Sequence, residues 1–455
     1  MNRPGVSPQP RMKYQWVRPQ SELRSQRRFA IVEAFDFMGT TVAACVCESS
    51  EDCVGGCRKT VHQTNDLMLQ RLSRVRDRMQ AHRVPAVLIL DPINIFYASG
   101  ARNMMIFSMR TPARYLLLFA EGPAFLFDYT GCEHLSRDLP TIDQVLPARG
   151  LCHVSSGGDV EAAGIAMARE ITGLYSDHVG RSGDLAVDRF PLASVRALEQ
   201  QGFVLRDADP LFAEARAVKL PLEVEVMSEA LRRVERAVAN LEAKLEPGRS
   251  ELALWADFHA PFIESEGQYV TTRLMQSGPR TYPYFQECGS RQIEANDLVC
   301  LDTDALGYQG YAVDFSRSFL SGSGRPTPRQ RELYQRAKDQ LDWNVSLMRG
   351  GVEYREIAAH AWQVPPEHQA SRYYCIAHGL GMSGEFPNIP PAQRGVEYPL
   401  EGALLPGMVM CVESYVGCER SRQGVKLEEQ VLISEQGNTV MSAYPFDERL
   451  SSRES

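Results

Sequence analysis

One short segment, residues 297–319 (DLVCLDTDALGYQGYAVDFSRSF), restricts the fold of this chain more than any other. Residues 298–301 form an apolar run of strand length that ends in Asp302 and Asp304. Because side chains two apart on a strand share a face, both carboxylates are expected to point the same way. The segment therefore predicts a buried strand that ends in a pair of carboxylates.

The rest of this segment is predicted to turn back. Glycines at 307 and 310 permit a turn, and residues 311–319 are predicted to return as one strand that carries Asp314. Three carboxylates on one hairpin repel one another unless a cation lies between them. A solvated acidic hairpin end is the alternative, but ligand-type residues elsewhere in the chain favour a metal site.

Three later segments each carry one of these ligand-type residues. His378 opens an HGLG sequence, whose glycines permit close backbone approach. Glu413 and Glu428 lie within the otherwise apolar runs 409–416 and 425–433. A charged residue in a buried strand is costly unless it is paired or binds a metal ion, so both are candidate ligands.

The candidate metal ligands thus comprise five carboxylates and one imidazole: Asp302, Asp304, Asp314, His378, Glu413 and Glu428. Two divalent cations would nearly balance five negative charges, although a single ion is also compatible. Oxygen-rich ligation with open positions suits iron, manganese, cobalt or zinc. A purely structural site is disfavoured because structural zinc prefers cysteine and histidine.

Helical and strand patterns alternate along most of the chain and predict an α/β protein with a three-part organisation. Residues 66–215 are predicted to form an α/β domain without a catalytic cluster, which would have a structural or substrate-capping role. Residues 216–455 are predicted to form the metal-binding domain. Residues 1–65 are expected to be a flexible extension, although their acid-poor, arginine-rich start also resembles a transit peptide.

Four cysteines crowd into this extension: Cys45, Cys47, Cys53 and Cys57. Their spacing differs from the common structural zinc patterns, so a loosely ordered segment is preferred over a zinc site. The whole chain has 11 cysteines, an odd number without a framework spacing, which favours reduced thiols in a cytoplasmic protein.

The charge and hydropathy of the chain exclude some classes of partner. A net charge of −8 argues against a nucleic-acid or anionic membrane partner. No apolar run reaches the length of about 18 residues that a transmembrane helix needs. Neither a nucleic acid nor a membrane is therefore expected as a partner.

The order Asp, Asp, His, Glu, Glu, each on its own strand or strand end, resembles the pita-bread metalloenzymes, such as prolidase, aminopeptidase P, methionine aminopeptidase and creatinase. The sequence is most similar to the dimethylsulfoniopropionate lyases of the DddP type, in which the first strand carries an Asp-x-Asp doublet. SGPRT at 277–281, FQECG at 285–289, KLEEQVLI at 426–433 and YPFD at 444–447 also resemble that group. The resemblance covers about residues 67–450.

This resemblance implies an α/β (α+β) fold in which a creatinase-like N-terminal domain precedes a C-terminal pita-bread domain. It also implies a homodimer, one or two divalent ions (iron first, then manganese, zinc or cobalt), and a metal-ligand role for the six candidates. Tyr373 resembles a tyrosine that lies beside the site in the family.

The reaction that the resemblance implies is a metal-anchored β-elimination, which splits dimethylsulfoniopropionate or a similar small zwitterion into dimethyl sulfide and acrylate. One alternative is a metallohydrolase of the Xaa-Pro dipeptidase or creatinase kind, acting on a C–N bond. A second alternative is a weakly active metal-binding relative.

The sequence departs from both groups just after HGLG. Gly384 stands where the lyases place an aspartate and the prolidases a histidine, and glycine has no side chain that could accept a proton. Losing a positioned base commonly costs about 10²–10⁴ in rate. The sequence therefore predicts that Glu385 or Tyr373 has taken over proton transfer, that the substrate differs, or that turnover is weak.

Overall fold

Six short strands build the sheet of the N-terminal domain. In spatial order they are β4, β3, β2, β1, β5 and β6. Their bounds in chain order are β1 Ala86–Ile89, β2 Tyr115–Phe119, β3 Ala124–Asp128, β4 Gln144–Pro147, β5 Asp184–Val187 and β6 Val204–Asp207. Strands β1–β3 pair antiparallel, whereas β3–β4, β1–β5 and β5–β6 pair parallel. The domain is therefore α/β with a mixed sheet, in agreement with the predicted class.

The structure is a computed structural model that describes residues 50–393 and 395–452, with side chains from residue 64 onward. All contacts discussed below lie within one compact unit, Cys57–Ser455. Residues 1–49 of the predicted extension, with Cys45 and Cys47 of the zinc alternative, lie outside the described residues, as do the side chains of Cys53 and Cys57. Residues 50–65 of the predicted extension are helical.

Helices cover the N-terminal sheet and connect it to the second domain. Their bounds are α1 Ser50–Ala81, α2 Pro92–Ser99, α3 Met105–Arg110, α4 Val160–His178, α5 Leu192–Gln200 and α6 Asp209–Ala217. Neighbouring β1 residues such as Leu88 and Ile89 pack into two different hydrophobic cores, because both faces of the sheet are covered. The core that holds Ile89 also contains Leu380 and Cys411 of the C-terminal domain, so the two domains pack tightly on each other.

Helix α1 begins earlier than the sequence suggested. The apolar spacing predicts a helix over 67–82 with Asn65 or Asp66 as its cap, but the structure begins α1 at Ser50. This cap prediction is wrong because the preceding residues include no proline, and an Asn or Asp is only mildly unfavourable inside a helix.

The C-terminal domain contains three antiparallel sheets of described residues, with strand orders β11-β10-β7, β12-β9-β8 and β14-β13-β15-β16-β17. The strand bounds are β7 Tyr269–Val270, β8 Met275–Ser277, β9 Leu298–Asp302, β10 Ala305–Leu306, β11 Ala312–Val313, β12 Ser316–Leu320, β13 Ala377–Leu380, β14 Gly384–Ile389, β15 Val409–Cys418, β16 Gln423–Ile433 and β17 Asn438–Val440. The helices are α7 Pro221–Ala243, α8 Glu251–Glu264, α9 Pro328–Leu347, α10 Tyr354–His360 and α11 Glu448–Ser451. Among the described residues, no helix is both long and apolar enough to cross a bilayer.

The acidic hairpin differs from its prediction in one respect. The returning segment 311–319 is not one strand, since β11 ends at Val313 and β12 begins at Ser316. At this break Phe315 donates its backbone N–H to the side chain of Thr303, at 3.1 Å from Oγ1, instead of continuing the strand pairing. Strands β10 and β11 belong to a different sheet from β9 and β12. The break places Asp314 between two strands.

Candidate metal centre

The six predicted ligands lie where the sheets of the C-terminal domain meet. Asp302 ends β9, Asp314 precedes β12, and the three later residues lie within strands of the five-stranded sheet. Strand register sets two of these neighbours, since Glu413 lies opposite Glu428 across β15 and β16. Antiparallel pairing thus brings candidate ligands that are far apart in the sequence into one cluster.

The imidazole of His378 lies among three carboxylates. Its Nε2 atom is 3.6 Å from Asp314 Oδ2, 3.5 Å from Glu413 Oε1 and 3.9 Å from Glu428 Oε1. Asp314 Oδ1 and Glu428 Oε1 are buried and have no hydrogen-bond partner among the described residues. A buried carboxylate oxygen without a partner is costly, so this geometry fits a bound cation.

Lys426 is a member of this cluster that the sequence analysis did not identify. Its fully buried Nζ atom donates to Glu413 Oε2 at 2.6 Å and to Glu428 Oε2 at 2.8 Å, and it lies 3.5 Å from Asp302 Oδ2. A lysine two residues before Glu428 in an apolar strand shares its face, and this spacing is the signal that could have revealed it. The lysine offsets only part of the negative charge of the cluster.

Asp302 and Asp304 are held differently. Asp302 accepts hydrogen bonds from the hydroxyls of Tyr284 at 2.7 Å and Ser316 at 2.8 Å. Asp304 lies beyond the end of β9 with a left-handed φ of 37°, and Thr272 donates its hydroxyl to Oδ2. The strand alternation predicted for the pair therefore does not position Asp304, whose direction comes from a local left-handed turn.

The pKa values reflect this crowding of charge. Burial raises the pKa of Asp304 to about 6, and the Asp302 carboxylate adds to the effect. Burial and mutual repulsion also raise the pKa of Asp314 and of Glu428 well above their usual range. For His378, burial would lower the pKa, but Glu413 outweighs it and raises the pKa to about 9. The cluster thus takes up protons wherever a metal ion does not compensate its charge.

Tyr373 lies beside the cluster. Its ring centroid is 5.1 Å from Lys426 Nζ and 5.8 Å from the ring of Tyr284. Burial, followed by the charge of Glu413, raises the pKa of Tyr373 far above its usual value. Tyr373 is therefore a neutral phenol, which suits a hydrogen-bond donor better than a proton acceptor.

Glu385 lies on the other face of β14 from Gly384, because strand residues alternate between faces. Its carboxylate accepts a hydrogen bond from Lys219 Nζ at 2.8 Å and lies 3.3 Å from Arg216 Nε. Burial would raise the pKa of Glu385, but Lys219 and Arg216 hold it below its usual range. Its role as the replacement base stays a prediction, and these two ion pairs weigh against it.

Gly384 faces a cavity of about 330 Å³ between the two domains. The cavity is mainly apolar, and its charged lining residues are Asp304 and Asp314. A Cβ atom added at Gly384 would meet only His378 Nδ1, at 3.9 Å. Position 384 thus has room for a side chain next to the candidate metal ligands.

The chain also matches known families. The pattern of metallopeptidase family M24 matches residues 225–435, and that of the creatinase/prolidase N-terminal domain matches residues 71–218. The dimethylsulfoniopropionate lyase DddP of Roseovarius nubinhibens is 36% identical over 376 residues, which are 81% of this chain and 83% of that protein. The DddP lyase of Roseobacter denitrificans is 33% identical over 84% of this chain and 86% of that protein.

Solved structures support the fold. The prolidase of Pyrococcus horikoshii covers 83% of this chain and 99% of its own, with a TM-score of 0.66 at 20% identity. An Xaa-Pro dipeptidase of Bacillus anthracis covers 84% of this chain and 99% of its own, with a TM-score of 0.67 at 19% identity. The predicted order, a creatinase-like domain followed by a pita-bread domain, is confirmed.

Proposed function

The chain belongs to metallopeptidase family M24, and we propose that it is a metal-dependent lyase that cleaves dimethylsulfoniopropionate to dimethyl sulfide and acrylate. The observation that carries this proposal is the identity of 36% to a DddP lyase across both domains. The Xaa-Pro dipeptidase of Pyrococcus horikoshii is only 21% identical over a similar length. The chain is thus markedly more similar to the lyases than to this dipeptidase.

We propose that all six predicted ligands, Asp302, Asp304, Asp314, His378, Glu413 and Glu428, hold the metal. The resemblance to the DddP lyases supports iron first, and the oxygen-rich donor set is compatible with manganese, zinc or cobalt as alternatives, in one or two ions. When bound, the metal would hold the substrate carboxylate and acidify the proton on the adjacent carbon. The unpartnered buried oxygens of Asp314 and Glu428 support this assignment.

The other residues of the site bind and orient the substrate. Tyr373, as a neutral phenol, would donate a hydrogen bond to the anionic end of the zwitterion. The mainly apolar cavity beside Gly384 would take the dimethylsulfonium group. The wild-type reaction would be slow, because position 384 provides no base for the proton that leaves in the elimination.

The finer properties of the protein are proposals as well. A homodimer is proposed from the resemblance to the pita-bread enzymes. A reducing, cytoplasmic location is supported by the described cysteines, because the seven with described side chains are all free thiols.

A coupled assay tests this function against its alternatives. The metal-loaded wild type is incubated with dimethylsulfoniopropionate, and dimethyl sulfide is measured in the headspace; Xaa-Pro dipeptides are tested in parallel for proline release. Release of dimethyl sulfide that is lost in His378→Ala supports the lyase. Proline release alone would support the hydrolase, and turnover of neither substrate would support a weakly active relative.

A further inference from the structure

A cysteine lies within the ligand cluster, although cysteine is not among the predicted ligands. Cys411 on β15 is paired directly opposite His378 on β13. It precedes Glu413 by two residues, so both side chains project from the same face of the strand. The Cys411 side chain is fully buried. Strand geometry thus directs this thiol toward the same space as the imidazole and the glutamate.

The distances around this thiol fit a shared ion. Ligand atoms of Asp314, His378, Cys411 and Glu428 all lie within 4.8 Å of one another. Ligands at about 2.0–2.3 Å on opposite sides of a metal ion are about 4.0–4.6 Å apart, so a small contraction would bring all four into contact with one ion. Among the described residues, the Cys411 thiol donates one hydrogen bond, at 3.5 Å, to the backbone carbonyl of Asp314.

A second observation also indicates a ligand at this place. Glu428 Oε1 and Asp314 Oδ1 are the unpartnered buried oxygens described above, and both residues are more than nine-tenths buried. Glu428 Oε1 also lies 3.9 Å from His378 Nε2, so it faces the same four-residue cluster. The cluster therefore brings unpartnered carboxylate oxygens together with an imidazole and a thiol in one buried space.

We propose that Cys411 is a further metal ligand, which gives a thiolate to the ion held by Asp314, His378 and Glu428. On binding, the S–H bond breaks, the proton leaves to solvent, and a sulfur lone pair forms the bond to the metal. A sulfur donor shifts the preference of this ion from manganese toward softer ions such as zinc, cobalt or ferrous iron. The inference rests on the metal site of the proposed function, but not on the identity of its substrate.

Cobalt spectroscopy of the full-length protein tests this ligand without an activity measurement. Wild type, Cys411→Ser and Cys300→Ser are each loaded with Co²⁺, and their absorption spectra are recorded. Cys300 is the matched control, since it is equally buried on a strand but hydrogen-bonds to Gly424 and Ser318 outside the four-residue cluster. The expected result is a near-ultraviolet sulfur-to-cobalt charge-transfer band in wild type and Cys300→Ser that is lost in Cys411→Ser.

The visible cobalt bands show whether the metal is bound, and X-ray absorption of the wild type provides a second test that needs no variant. Visible bands without the near-ultraviolet band in wild type would overturn the thiolate while leaving the carboxylate and histidine site in place. Retention of the band in Cys411→Ser would assign it to another cysteine and also overturn the proposal. If Cys411→Ser does not fold, X-ray absorption of zinc-loaded wild type decides, with a sulfur neighbour expected at about 2.3 Å. Absence of that sulfur neighbour would contradict the proposal that Cys411 is a ligand. Absence of bound metal would contradict the proposed metal site as a whole.

Discussion

Glu428 and Glu429 are adjacent on β16, yet their carboxylates lie on opposite faces of the sheet. Glu428 Oε2 accepts a hydrogen bond from Lys426 at 2.8 Å within the carboxylate cluster. Glu429 Oε1 accepts a hydrogen bond from Arg317 Nη2 at 2.9 Å and forms a buried ion pair with it. The two neighbours are therefore expected to contribute to different properties, namely metal binding for Glu428 and stability for Glu429.

The variants Glu428→Gln and Glu429→Gln should separate these properties. Glu428→Gln is expected to lower metal content with little loss of unfolding free energy, because it removes a carboxylate that neighbouring carboxylates repel. Glu429→Gln leaves the buried charge of Arg317 without its anion and is expected to cost about 3 kcal/mol of unfolding free energy with normal metal content. Elemental analysis and urea unfolding measure the two effects. An equal loss of metal in both variants would contradict this division.

Gly384→Asp is expected to increase the release of dimethyl sulfide at least tenfold, because it restores a proton acceptor beside the site. The open space around the glycine Cβ position means that the side chain enters without displacing backbone. Gly384→Asn is the matched control, since it has nearly the same volume but accepts no proton. If Asp and Asn give equal rates, or if the wild type is already as fast as an aspartate-bearing relative, the base lies elsewhere.

Glu385→Gln is expected to destabilise the protein near neutral pH by about 3 kcal/mol, since it leaves the buried Lys219 without its carboxylate. The pKa of Glu385 is depressed in the folded state, so its ion pairs stabilise the fold above the usual value of 4.5 and lose this contribution as the pH falls below it. The difference in urea midpoint between wild type and variant should therefore shrink in acid. The exposed Glu397→Gln serves as the control, and a difference that does not change with pH would contradict the assignment.

Lys426→Met should distinguish the metal-free from the metal-loaded protein. Without metal, the ion pairs of Lys426 with Glu413 and Glu428 are expected to contribute about 3 kcal/mol to the free energy of unfolding. The variant loses this contribution. With metal bound, the loss should be smaller because the ion compensates the same carboxylates. Thermal unfolding with and without a chelator measures both, with the exposed Lys244→Met as control. A loss of equal size in both states would show that the lysine acts independently of the metal.

The sequence by itself determined the class of fold and the residue types of the candidate ligands. Period-two alternation shows that Glu428 and Glu429 face opposite sides, and the apolar runs around Glu413 and Glu428 became β15 and β16 within a few residues. These features were predictable because strand geometry is local. The same spacing also places Lys426 and Cys411 on the faces of Glu428 and Glu413, although the sequence analysis did not use it.

Only the tertiary structure decided which groups meet. Glu385 is held by Lys219, which is 166 residues away in the chain, and no periodicity predicts that pair. Asp304 is directed by a left-handed turn rather than by strand alternation. Cys411 and Asp314 are neighbours because separate sheets pack against each other. Such contacts depend on how the whole chain closes around its cores, whereas the sequence pattern specifies only the direction in which each side chain leaves its own strand.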